Sequence, residues 1–256
     1  MNPIDYAFVG EMLKGRSGLV LAPGKEYLLE SRLMPIVRES GMASLGDLVA
    51  ALREPGSEDL QAEVTEAMTT NESFFFRDKS PFDLFRDDMM PAFLDARSTG
   101  RKLRIWCAAC STGQEPYSLA MILKEMADRL VNWRIEIVAT DLSGEVLEKA
   151  KVGMYSQFEV QRGMPITMLV KYFTQIGEMW QIDAGVRAMV DYRKLNLLEP
   201  FDHLGRFDIV FCRNVLIYFD QQTKKDVLER IVGLMAPDGR LVLGAAETVL
   251  GITEAV

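Results

Sequence analysis

Residues 104–118 read RIWCAACSTGQEPYS. Their centre, WCAAC, has the Trp-Cys-x-x-Cys spacing of a dithiol redox site, whereas the STGQEP that follows is a run of small residues over which a ligand can approach the backbone. A thioredoxin-like centre needs its first cysteine exposed at a helix N-terminus with a lowered pKa. Cys107 instead falls inside the apolar run LRIWCAAC, where strand alternation predicts burial, and no proline between Pro116 and Pro165 is available to face the thiols. The stretch therefore reads as a buried strand ending in a small-residue turn, with Cys107 and Cys110 as small packing residues.

The segments beyond it repeat one pattern. PYSLAMILKEMADRL (116–130) has helical apolar spacing, WRIEIVATD (133–141) is a second strand and SGEVLEKAK (143–151) a helix. VRAMVDYRKLN (186–196) and RFDIVFCRN (206–214) are a third and a fourth strand. QQTKKDVLERIVGLM (221–235) is a helix stopped by the turn Ala236-Pro237-Asp238-Gly239, and RLVLGAAE (240–247) is a fifth strand. Apolar strands alternating with helices predict a parallel α/β sheet covered on both faces. The stretch from 152 to 190 is too long for a simple connection. Within it, EMWQID and VRAMVDY flank Ala184-Gly185 and resemble a hairpin, so a small antiparallel insertion is expected there. Residues 1–70 read as four short helices, 71–101 as a linker, and 102–256 as the α/β domain.

Composition narrows the function. The chain has 256 residues, 48% apolar and 26% charged, as a globular protein does. Its net charge of −8 disfavours nucleic acid, whose affinity comes from cationic side chains. No apolar run approaches the roughly 20 residues of a membrane span, and MNPIDYAFVG carries no export signal. Three cysteines suggest reduced thiols in a cytoplasm. The single histidine, His203, stands in the loop-like FDHLGRF, which argues against histidine-based metal or nucleophile chemistry and leaves a surface histidine.

In an open parallel sheet, ligands bind beyond the carboxyl ends of the strands. Here those ends carry Ala108–Gly113, Asp141, Asn196 and Arg213-Asn214. Two roles fit Asp141: a carboxylate accepting hydrogen bonds from both ribose hydroxyls, or the N-cap of the helix after it. Glu115 fits a first-turn acid complementing a helix dipole. Asn196, Arg213 and Asn214 fit either an adenine edge or ordinary turn bonding. TTNESFFFRDKSPFDLF (69–85) joins the helical part to the α/β part, with three phenylalanines as core anchors. Asn71, Ser73 and Arg77 are interleaved with them, so Arg77 lies either at an interdomain cleft or in a surface ion pair.

Taken together, TNESFFFR, WCAACSTGQEPYSLAM, ATDLS, KLNLLEPF, FCRNVLIYFD and MAPDGRLVLGAAET resemble the CheR-type chemotaxis receptor methyltransferases, in the family's order from about residue 60 to 250. The resemblance implies a Rossmann-like S-adenosylmethionine-dependent methyltransferase sheet with a small N-terminal helical domain and an inserted antiparallel β-subdomain. It implies transfer of a methyl group to glutamate side chains on cytoplasmic chemoreceptor helices, with S-adenosylhomocysteine as product. Position by position, Asn71, Ser73, Arg77, Glu115, Asp141, Asn196, Leu197, Arg213 and Asn214 match the family's cofactor-contacting residues, with Ser73 standing where threonine is common. Arg77 and Tyr218 match the residues that orient substrate and reacting groups.

Two departures matter. Members that dock a receptor's C-terminal pentapeptide are similar in carrying an extra glycine-containing loop, whereas Gln175–Gln181 is short with one glycine, which implies a tether-independent enzyme. The family also continues into a further edge strand or hairpin, whereas this sequence stops at GITEAV. A truncated sequence or a short tail both fit, and an open edge would favour dimer formation. Basic residues of the helical part, Lys14, Arg16, Lys25, Arg32 and Arg38, are candidates for meeting an acidic receptor helix, although residues 1–70 hold six basic against eleven acidic side chains. A methyltransferase for another substrate and a non-catalytic cofactor-binding module are the competing readings.

Overall fold

Four helices form along the apolar periodicity of the first 70 residues, the first and third behind a capping side chain: α1 (Pro3–Ser17), α2 (Glu26–Glu39), α3 (Leu45–Leu52) and α4 (Glu58–Met68). The computed structural model describes residues 2–255. Asn2 caps α1 by accepting from the Asp5 N–H, Pro3 opens its first turn, and Gly18 at φ +78° ends it in the left-handed conformation. Ser44 caps α3 in the same way through the Asp47 N–H. Val9, Leu13, Leu29, Leu33, Leu48 and Val64 are fully buried in a core of their own, distinct from the two cores that flank the sheet.

The α/β part contains α5 (Ser80–Leu84), a π-helical turn at Phe85–Met89, α6 (Met90–Ala96), β1 (Lys102–Ala108), α7 (Gln114–Glu125), β2 (Arg134–Asp141) and α8 (Gly144–Val152). A small module follows: β3 (Met154–Ser156), α9 (Gln157–Gln161), α10 (Ile166–Tyr172), β4 (Phe173–Ile176), β5 (Met179–Ile182) and the helical turn α11 (Ala184–Arg187). The chain then returns through β6 (Val190–Lys194), β7 (Phe207–Cys212), α12 (Gln221–Gly233) and β8 (Met235–Leu243). Strands β6-β2-β1-β7-β8 make one sheet in that order, every pair parallel. Alternation along the strands divides the side chains between its faces. Ile105, Cys107, Ile137, Ala139, Ile209 and Phe211 pack on one side. Trp106, Ala108, Val138, Val210 and Cys212 pack on the other. The order runs outward from β1 in one direction to β6 and, after a crossover, outward from β7 in the other. The crevice above β1 and β7 is therefore the switch point at which such sheets take ligands.

The antiparallel insertion exists, but its hairpin is displaced from the position expected from sequence. β4 pairs with β5 through Ile176–Met179, closing a two-residue turn at Gly177-Glu178, and β3 pairs with the other side of β5. Ala184-Gly185 instead opens α11, because the Asp183 side chain accepts from the Val186 N–H and caps it. The expected turn at Ala236–Gly239 also differs. Those residues lie within β8, bulging between the Phe207–Met235 and Ile209–Arg240 pairings. Pro237 has no N–H to give a ladder, and a bulge on this outer strand of the described sheet accommodates it.

Phe75 is fully buried, and its ring meets Tyr155 and Phe173 edge-on at 5.0 and 5.5 Å. Phe74 and Phe76 are half-buried. Cys107, Cys110 and Cys212 are free and buried, and burial pushes all three thiols well above the usual range, the opposite of a reactive dithiol. His203 is exposed. No group of three or more potential metal-ligating side chains occurs among the described residues. No described helix is long and apolar enough to cross a membrane.

Candidate active site

A cleft enclosing about 960 Å³, open mouth included, lies over the carboxyl ends of β1, β2, β6 and β7. That size suits a nucleoside joined to an amino acid. All ten residues singled out from sequence line it: Asn71, Ser73, Arg77, Glu115, Asp141, Asn196, Leu197, Arg213, Asn214 and Tyr218.

The floor is the turn after β1. Ala109 and Ser111 hold φ of +59° and +51°, left-handed values that non-glycine residues avoid, and Gly113 follows at +91°. Two bonds over-determine this backbone. The Cys110 N–H donates to the Thr140 carbonyl at 2.9 Å, and the Ser111 N–H donates to Asp141 Oδ2 at 2.8 Å. At Gly113 a Cβ would fall 2.6 Å from the Tyr192 hydroxyl and 2.9 Å from the Ala150 Cβ, so only glycine fits.

Asp141 ends β2. The N-cap of α8 is Ser143, whose hydroxyl accepts from the Val146 N–H, so capping is not what Asp141 does. Its carboxylate takes the Ser111 N–H at one oxygen and the Ser143 N–H at the other, 3.0 Å away. A carboxylate offers about four lone-pair sites, so acceptor capacity is left facing the cleft. Burial raises its pKa, and the backbone N–H groups of Ser143, Ser111 and Leu142 oppose the rise.

Glu115, in the first turn of α7, and Arg213, just past β7, meet under the cleft. Arg213 Nη1 donates to Glu115 Oε2 at 2.9 Å, while Nη2 donates to Asp78 Oδ2 at 2.7 Å and to the Arg77 carbonyl at 3.0 Å. Burial raises the Glu115 pKa, and the facing guanidinium pulls it back down. Arg213 thus braces the 76–79 turn, where Phe76, Asp78 and Lys79 all hold positive φ. That turn carries Arg77, whose Nη1 donates to the Glu72 carbonyl at 2.8 Å and whose guanidinium lies 5.5 Å from the Phe74 ring centre. Of the two readings of Arg77, the cleft position is the one observed.

Asn196 is less free than its position suggests. Its Nδ2 donates to the Arg16 carbonyl at 2.7 Å and its Oδ1 accepts from the Leu198 N–H at 3.0 Å. Asn71 Nδ2 donates to Thr69 Oγ1, while its carbonyl accepts from the Ser111 hydroxyl at 2.8 Å. Ser17 and Leu19 also line the cleft, and sequence reading missed them. Ser17 ends α1 and Leu19 opens the strap after it, held by the Val20 N–H donating to the Tyr218 carbonyl at 2.9 Å and by Lys14 pairing with Asp220 at 2.6 Å. The signal at hand was Gly18, whose left-handed backbone sits where a Cβ would strike the Phe219 ring at 2.9 Å.

Residues 71–256 match the model of the CheR methyltransferase SAM-binding domain, and residues 4–69 that of the CheR methyltransferase all-alpha domain. The chain belongs to the CheR methyltransferase family. Among its relatives, the chemotaxis protein methyltransferase Cher2 of Pseudomonas putida is 40% identical over 255 residues, covering 98% of this chain and 92% of the relative. Chemotaxis protein methyltransferase 1 of Pseudomonas aeruginosa is 42% identical over 247 residues, covering 95% and 89%. The Escherichia coli chemotaxis protein methyltransferase is 34% identical over 252 residues, covering 96% and 85%. The cofactor of this CheR domain is S-adenosylmethionine, and the cleft fits it: a buried carboxylate with spare acceptor capacity ends β2, and the small residues Ala109, Cys110 and Ser111 line the cleft after β1.

Several basic residues considered for partner binding are engaged within the chain. Lys14 pairs with Asp220, Arg16 reaches Gln61 and the Glu58 carbonyl, and Arg32 donates to Thr69 and Thr70. Lys25 and Arg38 make no salt bridge among the described residues.

Proposed function

We propose that the chain transfers the methyl group of S-adenosylmethionine to glutamate side chains on cytoplasmic helices of chemoreceptors, forming methyl esters. The observation that carries this reading is the convergence of Arg77 and Tyr218 on the cleft that also holds Asp141 and Glu115, within a CheR-family chain. Bound S-adenosylmethionine supplies an electrophilic methyl on a sulfonium.

The acceptor carboxylate, with an ordinary pKa near 4.3, is ionised at neutral pH, so no general base is required. The chain's task is to align that carboxylate and strip it of water. Arg77 has guanidinium N–H groups beyond the one spent on Glu72, and these hold the carboxylate by charge-assisted bonds. The Tyr218 hydroxyl positions it from the other element. Asp141 receives the ribose hydroxyls, the backbone at Asn196-Leu197 meets the adenine side, since the Asn196 side chain is already committed, and the Asn214 side chain contacts the cofactor. Glu115 and Arg213 act beneath the site, holding the turns that carry Arg77 and the strand ends. The β4–β5 turn has only Gly177-Glu178 between paired residues, which supports action without a pentapeptide tether. The enzyme would work in the cytoplasm, on its own side of the receptors.

The test uses a tritiated methyl donor with chemoreceptor membranes, followed by alkaline release of volatile methanol. Base-labile label on receptor glutamates is expected. Cofactor binding without transfer would favour a non-catalytic module, and label that resists base would point to a different acceptor.

A further inference from the structure

The turn after β7 is held by a side chain outside the cleft lining. Glu247, four residues beyond β8, points its carboxylate into the hollow of residues 214–217. Oε2 accepts the N–H groups of Asn214 at 2.8 Å and of Gly244 at 2.7 Å, and Oε1 those of Val215 at 2.9 Å and Ile217 at 3.3 Å. Asn214 holds φ +61°. A left-handed residue in such a turn aims successive N–H groups at one point, making a concavity that favours an anion. Here the anion is supplied from within the chain. The approach is close enough that a Cβ on Gly244 would lie 2.8 Å from Glu247 Oε2 and 2.9 Å from the Asn214 nitrogen.

This turn carries Tyr218, whose own N–H donates to the Val215 carbonyl and whose carbonyl accepts from Val20. The 3₁₀ segment Leu216–Tyr218 therefore has two anchors: the strap after α1 on one side and the Glu247 carboxylate on the other. We propose that Glu247 is a positioning residue for methyl transfer, setting through the 214–218 turn where the Tyr218 hydroxyl meets the acceptor carboxylate. The inference rests on the functional reading above. Four bonds to one ionised acceptor are stronger than neutral ones, and an amide cannot replace them. In Glu247→Gln one oxygen still accepts, but the NH₂ group faces N–H donors and repels them.

The experiment labels all seven tyrosines with 3-fluorotyrosine and follows fluorine NMR together with turnover. The Tyr218 line is identified by its loss in Tyr218→Phe. In Glu247→Gln that line alone should double or broaden, with the other six unmoved, and kcat should fall by about tenfold or more while S-adenosylhomocysteine still binds. In the Glu247→Gln, Tyr218→Phe double variant, kcat should be no lower than in Tyr218→Phe, since the first change acts through the residue the second removes. An unmoved Tyr218 line, losses that multiply in the double variant, or a shift of all seven lines would each overturn the proposal, the last by making Glu247 a general support of the fold. Wild-type protein that methylates no receptor membrane would instead sink the functional reading, because the Tyr218 line reports the turn without turnover.

Discussion

Arg213 and Glu115 form an ion pair 2.9 Å long beneath the cleft, with side chains only 1% and 11% exposed. The same guanidinium reaches Asp78, and its Nε is buried without a partner. Removing one member of a buried pair leaves an uncompensated charge, which typically costs about 3–5 kcal/mol. Arg213→Ala is therefore expected to lower unfolding stability by roughly 3 kcal/mol, measured by urea denaturation, and to abolish transfer by releasing the 76–79 turn. Arg213→Lys should recover little, because one ammonium cannot reproduce the forked contacts to Glu115, Asp78 and the Arg77 carbonyl. A loss below about 1 kcal/mol in the alanine variant would mean that the pair carries no structural weight.

Asp141 yields a pH prediction of definite sign. Burial raises its pKa above the ordinary aspartate value, so protonation begins at a higher pH than in a free side chain. Protonation removes acceptor capacity that the ribose hydroxyls need. Affinity for S-adenosylhomocysteine, followed by calorimetry, should therefore begin to fall at a higher pH than an ordinary aspartate would give as the pH is lowered. Stability without cofactor runs the other way for this group. A raised acid contributes stability below the unfolded pKa and loses it as pH rises through the folded one. Asp141→Asn should bind weakly at every pH and flatten the affinity profile. An unchanged slope in that variant would assign the titration to another group.

Much of this site was legible because strand ends are local. Ala109, Asp141 and Arg213 each follow directly on an apolar run and Asn196 closes the mixed strand segment VDYRKL, and a parallel sheet brings the ends of its strands together whatever the distance in sequence. What escaped was contact without a local signature. The Asn196 side chain meets the Arg16 carbonyl across 180 positions, and no periodicity foretells it. Glu247 reads from sequence as the polar end of the strand 240–247, since its four donors are backbone groups with no side-chain identity. The misplaced hairpin has a plainer cause. Ala184-Gly185 carries a turn composition, but Asp183 just before it is a good N-cap and commits the turn to helix.

Asp220 joins the helical domain to the catalytic one, and its loss should be felt at both. Its Oδ1 accepts the Thr223 N–H at 2.8 Å as the N-cap of α12, and its Oδ2 pairs with Lys14 of α1. Asp220→Ala should cost about 1 kcal/mol, mainly through the cap. Lys14→Ala should cost about 0.5 kcal/mol or less, since that ammonium is solvent-exposed. The hydrogen bond from Lys14, with the capping bonds, holds the Asp220 pKa well below the usual carboxylate range. A depressed acid contributes stability above its unfolded pKa and loses it as pH falls through the folded one. The difference in melting temperature between wild type and Asp220→Ala should therefore shrink in strong acid. A difference that stays constant down to about pH 2 would exclude the ionised cap as its source.

Arg77 separates alignment from cofactor binding. It lines the cleft on a turn braced from below by Arg213, and its own side-chain bond goes to the Glu72 carbonyl rather than to a carboxylate. Its charge is thus free to meet an anionic acceptor. Arg77→Ala should lower kcat/KM for receptor membranes by about 10²–10³-fold, the scale of losing one charge-assisted positioning contact in a desolvated site. Affinity for S-adenosylhomocysteine should change by less than about tenfold, because the buried carboxylates and backbone groups that hold it remain. Arg77→Lys should recover only a small part, since an ammonium cannot present the planar fork that a carboxylate matches. Stopped-flow transfer assays and calorimetry on the same preparations distinguish the outcomes. Equal losses in binding and turnover would place Arg77 on the cofactor, and near-normal turnover would remove it from alignment of the acceptor.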